Sequence, residues 1–361
     1  MPDAKFAKPW HGIPREEIEW HPSVDDDACI GCGTCVTGCS RKVYRFDFAR
    51  KKAVVADPLN CMVACMTCAN TCPTNAISFP PVRTILDLAD RVEVHHAVED
   101  ELLERRDELA VTADLLHEDH IVEMVVQDIA QIGSGTRLLT LSPRRERDEM
   151  CQFVPGQYIE VWVPGASWMS RAYSIANAPR LDGSIEVQIR KVDGGRLSAW
   201  AFGAVAVGDV VAARGPLGSF TMRSPEGRPV IFVARGTGFA PIKALLEQQV
   251  ELFPEREMVL FWGATSSDDF YELDHLAELA GAAAELSVTL VARRYTPGFS
   301  APSEVVTELG RVSDAVASSG LDLAGFDAYV AGPRLTVVDC VAALGGLGID
   351  PSRVFVDSYG A

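Results

Sequence analysis

Hydrophobic and polar residues are distributed differently in four stretches of the chain. Residues 1–80 are rich in cysteine and turn-forming residues and show little helical periodicity. In 81–120, apolar positions recur every three or four residues among many acidic ones, which predicts one or two connecting helices. Short apolar runs across 121–227 predict an antiparallel barrel or sandwich, and strands alternating with helices across 228–361 predict a parallel sheet with helices on both faces. The sequence therefore predicts a multidomain α+β and α/β protein.

The length and charge of the chain limit what it binds. With 361 residues, the chain is long enough for two or three domains. Its formal net charge of −17 disfavours nucleic acid and anionic membrane surfaces, and it favours a protein partner with a basic docking face. No secretory signal and no run of about 18 apolar residues is apparent. We therefore expect a cytoplasmic protein with no membrane or nucleic-acid partner.

Eight of the ten cysteines lie in two short clusters. In a reducing compartment, such clusters are better explained as metal ligands than as disulfides. Cys151 and Cys340 stand alone, and we interpret them as small buried hydrophobic residues. His117 and His120 have an i, i+3 spacing that suits a metal, but their acidic helical setting favours a solvated surface.

The spacing of the cysteines indicates which metal centre they hold. The first run, "CIGCGTCVTGC", has the spacing of bacterial ferredoxins, in which the fourth cysteine binds the other cluster. Residues 24–80 resemble a two-cluster bacterial-type ferredoxin, including the pair Cys72-Pro73. The resemblance implies a small ferredoxin-like domain over 1–80 with two 4Fe-4S clusters. The implied ligands are Cys29, Cys32, Cys35 and Cys72 for one cluster, and Cys61, Cys65, Cys68 and Cys39 for the other.

Two departures from the ferredoxin pattern affect the loops and remove no ligand. Three residues separate Cys61 from Cys65 where the pattern has two, and Ser40 follows Cys39 where the pattern has proline. The alternative is structural zinc in two four-cysteine sites. Zinc sites usually combine two well-separated C-x2-C pairs, so the triads with a trailing fourth cysteine favour iron-sulfur clusters.

Four segments in the middle of the chain carry a flavin signature. "FVPGQYIEVWVPG", "SRAYSIANAP", "GGRLSAWAF" and "GPLGSF" occur in the order found in ferredoxin-NADP reductase-like flavoproteins, which residues 121–361 resemble. The resemblance implies an antiparallel β-barrel that binds FAD over 121–227. Arg171 is suited to pair with the pyrophosphate, Tyr173 to lie against the flavin, and Ser174 to hydrogen-bond flavin N5. The residues expected to form the turn and helix start at the phosphates are Gly195, Arg196, Leu197 and Ser198.

The last third of the chain resembles the nicotinamide domain of the same family. "ARGTGFAP" follows a predicted strand and precedes a predicted helix, as a pyrophosphate-binding turn requires. "FWGAT" and "YVAGP" match two further strand ends on the same edge of the sheet. The resemblance implies a doubly wound parallel-sheet NAD(P) domain over 228–361. Its implied cofactor-binding residues are Gly236, Thr237, Gly238, Pro241, Gly263, Gly332 and Pro333.

The final strand, "VFVDSY", supplies two further candidates. Asp357 and Tyr359 fall where plant-type reductases carry a glutamate and a terminal aromatic residue. The resemblance implies that Ser174 and Asp357 align the flavin as catalytic residues and that Tyr359 controls access of the nicotinamide. Ala331 stands where the family often has a cysteine, so no sulfur is expected to align the nicotinamide.

The residues that bear on the choice between NADH and NADPH lie at the end of another predicted strand. "ARRY" places Arg293 and Arg294 where NADPH-using relatives hold an arginine for the 2′-phosphate, and Ser266 and Ser267 supply hydroxyl donors. No later Lys-x-Tyr completes that pattern. We favour NADPH, with the alternative that Arg293 is only a solvated strand end.

Together these resemblances imply an electron-transfer enzyme, an NAD(P)H:acceptor oxidoreductase. Hydride carries two electrons, a 4Fe-4S cluster accepts one at a time, and flavin converts between the two. The implied path is from NAD(P)H through FAD and two clusters to a redox partner protein. The combination resembles the reductase components of multicomponent oxygenases, especially the benzoyl-CoA epoxidase reductase type, which makes an oxygenase the expected acceptor. Two alternatives stay open. One is reverse electron flow that makes NAD(P)H from a low-potential donor, and the other is a wiring subunit, that is, a non-enzymatic subunit whose ferredoxin domain only conducts electrons within a larger redox complex.

Overall fold

The computed structural model divides into two compact units, Met1–Val111 and Thr112–Ala361. No helix among the residues described below is long and apolar enough to cross a membrane. The structure describes residue 6 and residues 8–105, 121–144, 152–162, 170–223 and 227–359.

The first unit is small and built around the cysteine loops. Strand β1 (Ser23–Val24) pairs antiparallel with β4 (Ile77–Ser78), and β2 (Tyr44–Asp47) pairs antiparallel with β3 (Lys52–Val55). Its helices are α1 (Thr34–Gly38), α2 (Thr67–Asn70), α3 (Arg83–Ala89) and α4 (Val92–Glu104), with 3-10 turns at Arg15–Glu17 and Pro58–Asn60.

The core of this unit is a small apolar cluster that includes cysteine side chains. Trp20 is fully buried and stacks on Phe79, with ring centroids 5.4 Å apart. Ile85 of α3 is buried in the same cluster, so the first part of the predicted helical segment packs on the cysteine-rich unit. Residues 106–120, which include His117 and His120, lie outside the described residues, as does Cys151.

The second unit begins with a six-stranded antiparallel barrel. Its strands are β5 (Ile121–Gly133), β6 (Thr136–Pro143), β7 (Tyr158–Trp162), β8 (Arg171–Ser174), β9 (Ile185–Arg190) and β10 (Val210–Leu217), in the spatial order β8-β7-β10-β5-β6-β9. A bridge between Ile175 and Val187 joins the two outer strands, and the Ala176 amide donates to the Glu186 carbonyl at 2.8 Å. This link closes the sheet and decides between the predicted barrel and sandwich. Helix α5 (Arg196–Gly203) lies between β9 and β10 in sequence.

The rest of the second unit is a parallel sheet with helices on both faces. Its strands are β11 (Val230–Arg235), β12 (Met258–Ala264), β13 (Leu286–Ala292), β14 (Val305–Leu309), β15 (Asp327–Pro333) and β16 (Val354–Tyr359), in the order β14-β13-β12-β11-β15-β16. Its helices are α6 (Phe239–Leu252), α7 (Leu273–Ala282), α8 (Val312–Ser318) and α9 (Arg334–Gly346), with 3-10 turns at Gly236–Gly238, Ser267–Asp269 and Pro351–Arg353.

Two apolar cores lie on opposite faces of this sheet. One contains Phe232 and Trp262, and the other contains Val233 and Phe261 from the alternate positions of the same strands. Cys340 is fully buried in the second core, as its isolated position predicts. The strand order reverses between β11 and β15, and in such sheets ligands bind beyond the carboxyl ends of the strands at this point. The predicted fold class is confirmed.

Candidate functional site

A cavity of about 370 Å³ in the first unit is lined by the second predicted cysteine quartet. Burial raises the pKa of Cys61 to about 12, with the neighbouring Cys65, Cys68 and Cys39 thiols acting in the same direction. Cys39 comes from the first cysteine run, so the structure brings it to the second run as the spacing predicts. The four thiols that line the cavity are Cys39, Cys61, Cys65 and Cys68, with Cys35 also at its wall.

The first predicted quartet is more open to solvent. Burial raises the pKa of Cys35, and the nearby Cys32 and Cys29 thiols act in the same direction. Cys72 from the second run acts electrostatically on Cys32, which is exposed. Within the described ranges, no three Cys, His, Asp or Glu side chains converge as a single-ion site would require.

Several donors around the thiols are arranged to stabilise thiolate sulfur. The Tyr44 hydroxyl donates to Cys68 Sγ at 3.1 Å, and the Ala76 amide donates to Cys72 Sγ at 3.3 Å. Hydrogen bonds to cluster-ligating sulfur tune the reduction potential. Ala64, one of the three residues between Cys61 and Cys65, has φ of +66°. The unusual spacing is thus accommodated by a left-handed residue. The cavity, thiols and Tyr44 hydroxyl at the second quartet fit a cubane, and the more open first quartet supplies thiols for another.

The flavin signature lies on β8, one of the two strands at which the bridge closes the barrel. Tyr173 packs against the barrel core, and burial raises its pKa. The Ser174 hydroxyl donates to Asp357 Oδ2 at 3.2 Å, joining the barrel to the last strand of the parallel sheet. Burial raises the pKa of Asp357, and the hydrogen bond from Ser174 opposes that rise. The structure thus brings together two predicted catalytic residues that are far apart in sequence.

The predicted phosphate turn is present after β9. Helix α5 begins at Arg196, directly after Gly195. The Ser198 hydroxyl lies 2.9 Å from the Val192 carbonyl oxygen and 3.0 Å from that of Gly195. Leu197 is buried in the barrel core. These two side chains hold the turn, which leaves the backbone amides at the start of the helix to face a phosphate.

The nicotinamide signature lies at the point where the strand order reverses, where sheets of this kind leave a crevice for a ligand. A Cβ at Gly238 would collide with the carbonyl of Ala331, so only glycine lets this turn meet β15. A Cβ at Gly263 would lie 2.7 Å from Cβ of Val312. Pro241 is buried in the first turn of α6, where its missing amide hydrogen costs nothing. Gly332, at the end of β15, has φ of +155°.

Tyr359 lies over the turn of this crevice. Its hydroxyl donates to the Arg235 carbonyl at 3.1 Å and lies 3.3 Å from Thr237 Oγ1. Burial raises the pKa of Tyr359 to about 12. This contact places the predicted gating residue against the predicted pyrophosphate turn.

Two arginines that the sequence did not single out lie close to this crevice. Burial lowers the pKa of Arg235, and the positive charges of Arg190 and Arg293 lower it further. Arg235 donates to Thr265 Oγ1 at 2.9 Å. Arg190 comes from the barrel strand β9, and nothing in its local sequence pointed to this location. The position of Arg235 at a strand end was a signal that could have found it. We call Arg190, Arg235 and Arg293 the arginine cluster.

The two predicted hydroxyl donors have another role. Ser266 and Ser267 are both buried. The Ser266 hydroxyl lies 3.3 Å from Thr296 Oγ1, and Ser267 Oγ accepts from the Thr296 amide at 2.9 Å. These contacts join the turn at Ser267–Asp269 to the loop that follows β13. The arginine cluster is the better candidate for contact with phosphate.

Three family models match the chain in the order that the geometry indicates. They are the 4Fe-4S dicluster domain over 28–83, the oxidoreductase FAD-binding domain over 123–222 and the oxidoreductase NAD-binding domain over 232–341. The reductase subunit of an aromatic O-demethylase from Amycolatopsis is 30% identical over 259 residues, which cover 70% of this chain and 74% of that protein. The chain belongs to the ferredoxin-NAD(P) reductase-like family of flavoprotein reductases. The predicted FAD, NAD(P) and iron-sulfur domains are confirmed.

Further relatives of this flavoprotein reductase have similar descriptions. The reductase component of a propane 2-monooxygenase from Mycolicibacterium goodii is 32% identical over 207 residues, which cover 57% of this chain. The match spans 59% of that relative's length. The crystal structure of an Amycolatopsis cytochrome P450 reductase superposes with a TM-score of 0.58 at 29% identity, covering 68% of this chain and 73% of that one. These relatives are reductase components of oxygenase systems.

Proposed function

We propose that the protein is an NADPH-dependent reductase component that delivers electrons, through FAD and two 4Fe-4S clusters, to an oxygenase. The observation that carries the proposal is the hydrogen bond from Ser174 to Asp357 beside the nicotinamide crevice, in a chain that also carries a dicluster domain. Relatives named as reductase components of a monooxygenase and of a demethylase support the oxygenase as acceptor. Flavin supplies the conversion of a two-electron donor to one-electron acceptors.

The residues of the chain have distinct tasks in this proposal. Arg171 and the amides after Gly195 hold the flavin phosphates, and Tyr173 covers the ring system. Ser174 and Asp357 would orient the ring, and Asp357, whose pKa burial raises, would hold a proton for the flavin that hydride reduces. Tyr359 leaves its contact with Thr237 when the nicotinamide enters. The two cysteine quartets hold the clusters.

The proposed function is tested with purified, anaerobic holoprotein and NADPH. We expect NADPH to bleach the flavin absorbance and then the cluster absorbance, and to support reduction of cytochrome c. Absence of flavin bleaching would contradict the proposal and would favour the wiring subunit. Cluster potentials well above that of the nicotinamide couple would exclude reverse flow, whereas potentials below it would favour the reverse direction.

The preference for NADPH follows from the arginine cluster. The charges of Arg190 and Arg293 each repel that of Arg235, and a phosphate dianion beside Arg235 relieves that repulsion. Arg293 lies at the end of β13, where the family resemblance places the 2′-phosphate.

We expect Arg293→Ala to lower kcat/KM for NADPH by about 10- to 100-fold, the value of one or two charged hydrogen bonds. The value for NADH should change by less than about threefold, because NADH has no 2′-phosphate. Steady-state kinetics with both nucleotides measure the two losses. Arg294→Ala is the matched control, since Arg294 is the adjacent exposed arginine but does not belong to the arginine cluster. Equal losses for both nucleotides would show that Arg293 does not read the 2′-phosphate.

A further inference from the structure

A lysine is buried at the interface of the barrel and the parallel sheet. The Lys243 side chain, on α6, is only 2% exposed. Its ammonium lies 2.8 Å from Glu186, 2.9 Å from Glu272 and 3.4 Å from Glu247. Burial acts to lower the pKa of Lys243, but the three carboxylates together raise it above the ordinary value. The ammonium therefore stays charged inside the protein.

The carboxylates around Lys243 connect the segment after β8, which carries the flavin signature, to α6, which follows the nicotinamide signature. Glu186 belongs to the barrel strand β9, whereas Glu247 is on α6. The Glu186 amide donates to the Asn177 side chain at 2.7 Å, and Glu247 accepts from the Ala178 amide at 2.7 Å. Asn177 and Ala178 follow Ser174 by three and four residues. The segment that follows β8 is thus hydrogen-bonded to α6, the helix directly after the turn at Gly236–Gly238.

The charges of this group balance only when a histidine is protonated. Glu186, Glu247 and Glu272 carry three negative charges, and Lys243 and Arg180 carry two positive charges, with Arg180 2.6 Å from Glu186. His275 Nε2 lies 2.8 Å from Glu247 Oε1, and its protonation supplies the third positive charge. Glu278 lies 3.6 Å from His275 Nδ1, but its side chain is 79% exposed and well solvated. Lys243 and the three carboxylates are 2–17% exposed, whereas Arg180 and His275 are 41% and 38% exposed. An uncompensated charge among the buried members is costly.

We propose that these residues form a charge network around the buried Lys243. In this network Lys243 is a positioning residue for hydride transfer, and protonated His275 tightens the join between the flavin and nicotinamide domains. The network comprises Lys243, Glu186, Glu247, Glu272, Arg180 and His275. This inference rests on the proposed function, because it concerns the distance between nicotinamide and flavin. Misplacement of reacting groups by about 1 Å costs roughly 100-fold in rate, so a loosened join affects the rate of transfer more than the affinity for nucleotide.

The direction of the pH effect follows from His275. Its hydrogen bond to Glu247 raises the pKa of the imidazole above the ordinary value of about 6.5. The contribution of protonated His275 is therefore complete below about pH 6.5 and is lost as the pH rises through the higher pKa of the folded protein. Charges that face His275 are Glu247 and Lys243 on α6 and Glu278 on its own helix.

The experiment measures flavin bleaching at saturating NADPH in anaerobic stopped-flow from pH 6 to pH 9. We expect the rate of flavin bleaching in the unchanged protein to fall by about tenfold as the pH rises. This fall is smaller than the roughly 100-fold loss for a displacement of about 1 Å, because deprotonation of His275 loosens the join only in part. His275→Gln should be slow at every pH and show a flat profile, while KM for NADPH stays within about twofold. Glu278→Gln is the matched control: it keeps the imidazole and should keep the fall with pH, moved to slightly lower pH because Glu278 also raises the pKa of His275. A His275→Gln variant with the original rate and profile would overturn the proposal.

A second measurement does not depend on turnover. Hydrogen exchange of the α6 amides, compared at the same pH, should be faster in His275→Gln than in the unchanged protein at pH 6 and equal at pH 9. Lys243→Met should exchange faster at both pH values. If NADPH fails to bleach the flavin but these exchange differences appear, the proposed function is wrong and the network remains. If bleaching is normal and exchange is identical in all variants, the network does not hold the domains together.

Discussion

Replacing both Cys29 and Cys39 by serine is expected to remove nearly all iron from the protein, which should otherwise hold about eight irons per chain. Replacing Cys29 and Cys72 should leave about four. The two pairs share Cys29 and differ only in the partner. Cys39 lies with Cys61 in the buried cavity and Cys72 acts on Cys32, so the first pair damages both quartets and the second pair damages one.

Iron and zinc analysis of anaerobically purified variants measures this difference. Cys340→Ala is the matched control, because Cys340 is buried in the parallel-sheet domain far along the chain from both runs, and it should retain all iron. The reverse result, four irons after loss of Cys29 and Cys39 and none after loss of Cys29 and Cys72, would mean that each run binds its own cluster. Zinc in place of iron would contradict the iron-sulfur assignment altogether.

Ser174→Ala is expected to slow flavin reduction by NADPH about 100-fold, the usual loss when one donor aimed at a reacting centre is removed. The hydroxyl donates to Asp357 across the join between the two domains, and in the proposed function it also faces flavin N5. Without it, the burial that raises the pKa of Asp357 is no longer opposed, so the carboxyl holds its proton to higher pH. Anaerobic stopped-flow at saturating NADPH measures the rate.

Ser358→Ala controls for the loss of a hydroxyl on the same strand as Asp357. Ser358 is exposed, and its replacement should change the rate by less than about twofold. FAD content must be equal in both variants, because a loss of bound flavin would also slow bleaching. A Ser174→Ala variant with full flavin content and an unchanged rate would remove Ser174 from the proposed catalytic residues.

Local patterns in the sequence were sufficient for the fold but not for the contacts between domains. The barrel strands alternate apolar and polar residues because only one face is buried, and the parallel strands are continuously apolar because both faces are buried. Both patterns are visible in neighbouring residues of the sequence. The sequence predicts Ser174 and Asp357 as site residues because each lies in a recognisable motif. It does not predict a role for Lys243 or Arg190, because their roles depend on contacts with residues of another domain.

The same limit explains the serines at 266 and 267. Their position beside a nucleotide-binding edge predicts phosphate donors, but a hydroxyl at such an edge can also accept from the backbone of a neighbouring loop. Ser267 does so, since its hydroxyl accepts from the Thr296 amide in the loop after β13. Spacing alone does not distinguish an outward hydroxyl from an inward one.

The location of β8 on the rim of the barrel bears on how the protein is loaded with its cofactor. The strand is four residues long and pairs along its length with β7, whereas the closing bridge to β9 lies just beyond its end, at Ile175. A short rim strand separates at a lower free energy than a strand in the middle of a sheet. Local opening of β8 is therefore expected to cost less free energy than opening of the barrel core, which makes this strand the expected route for exchange of bound flavin against flavin analogues.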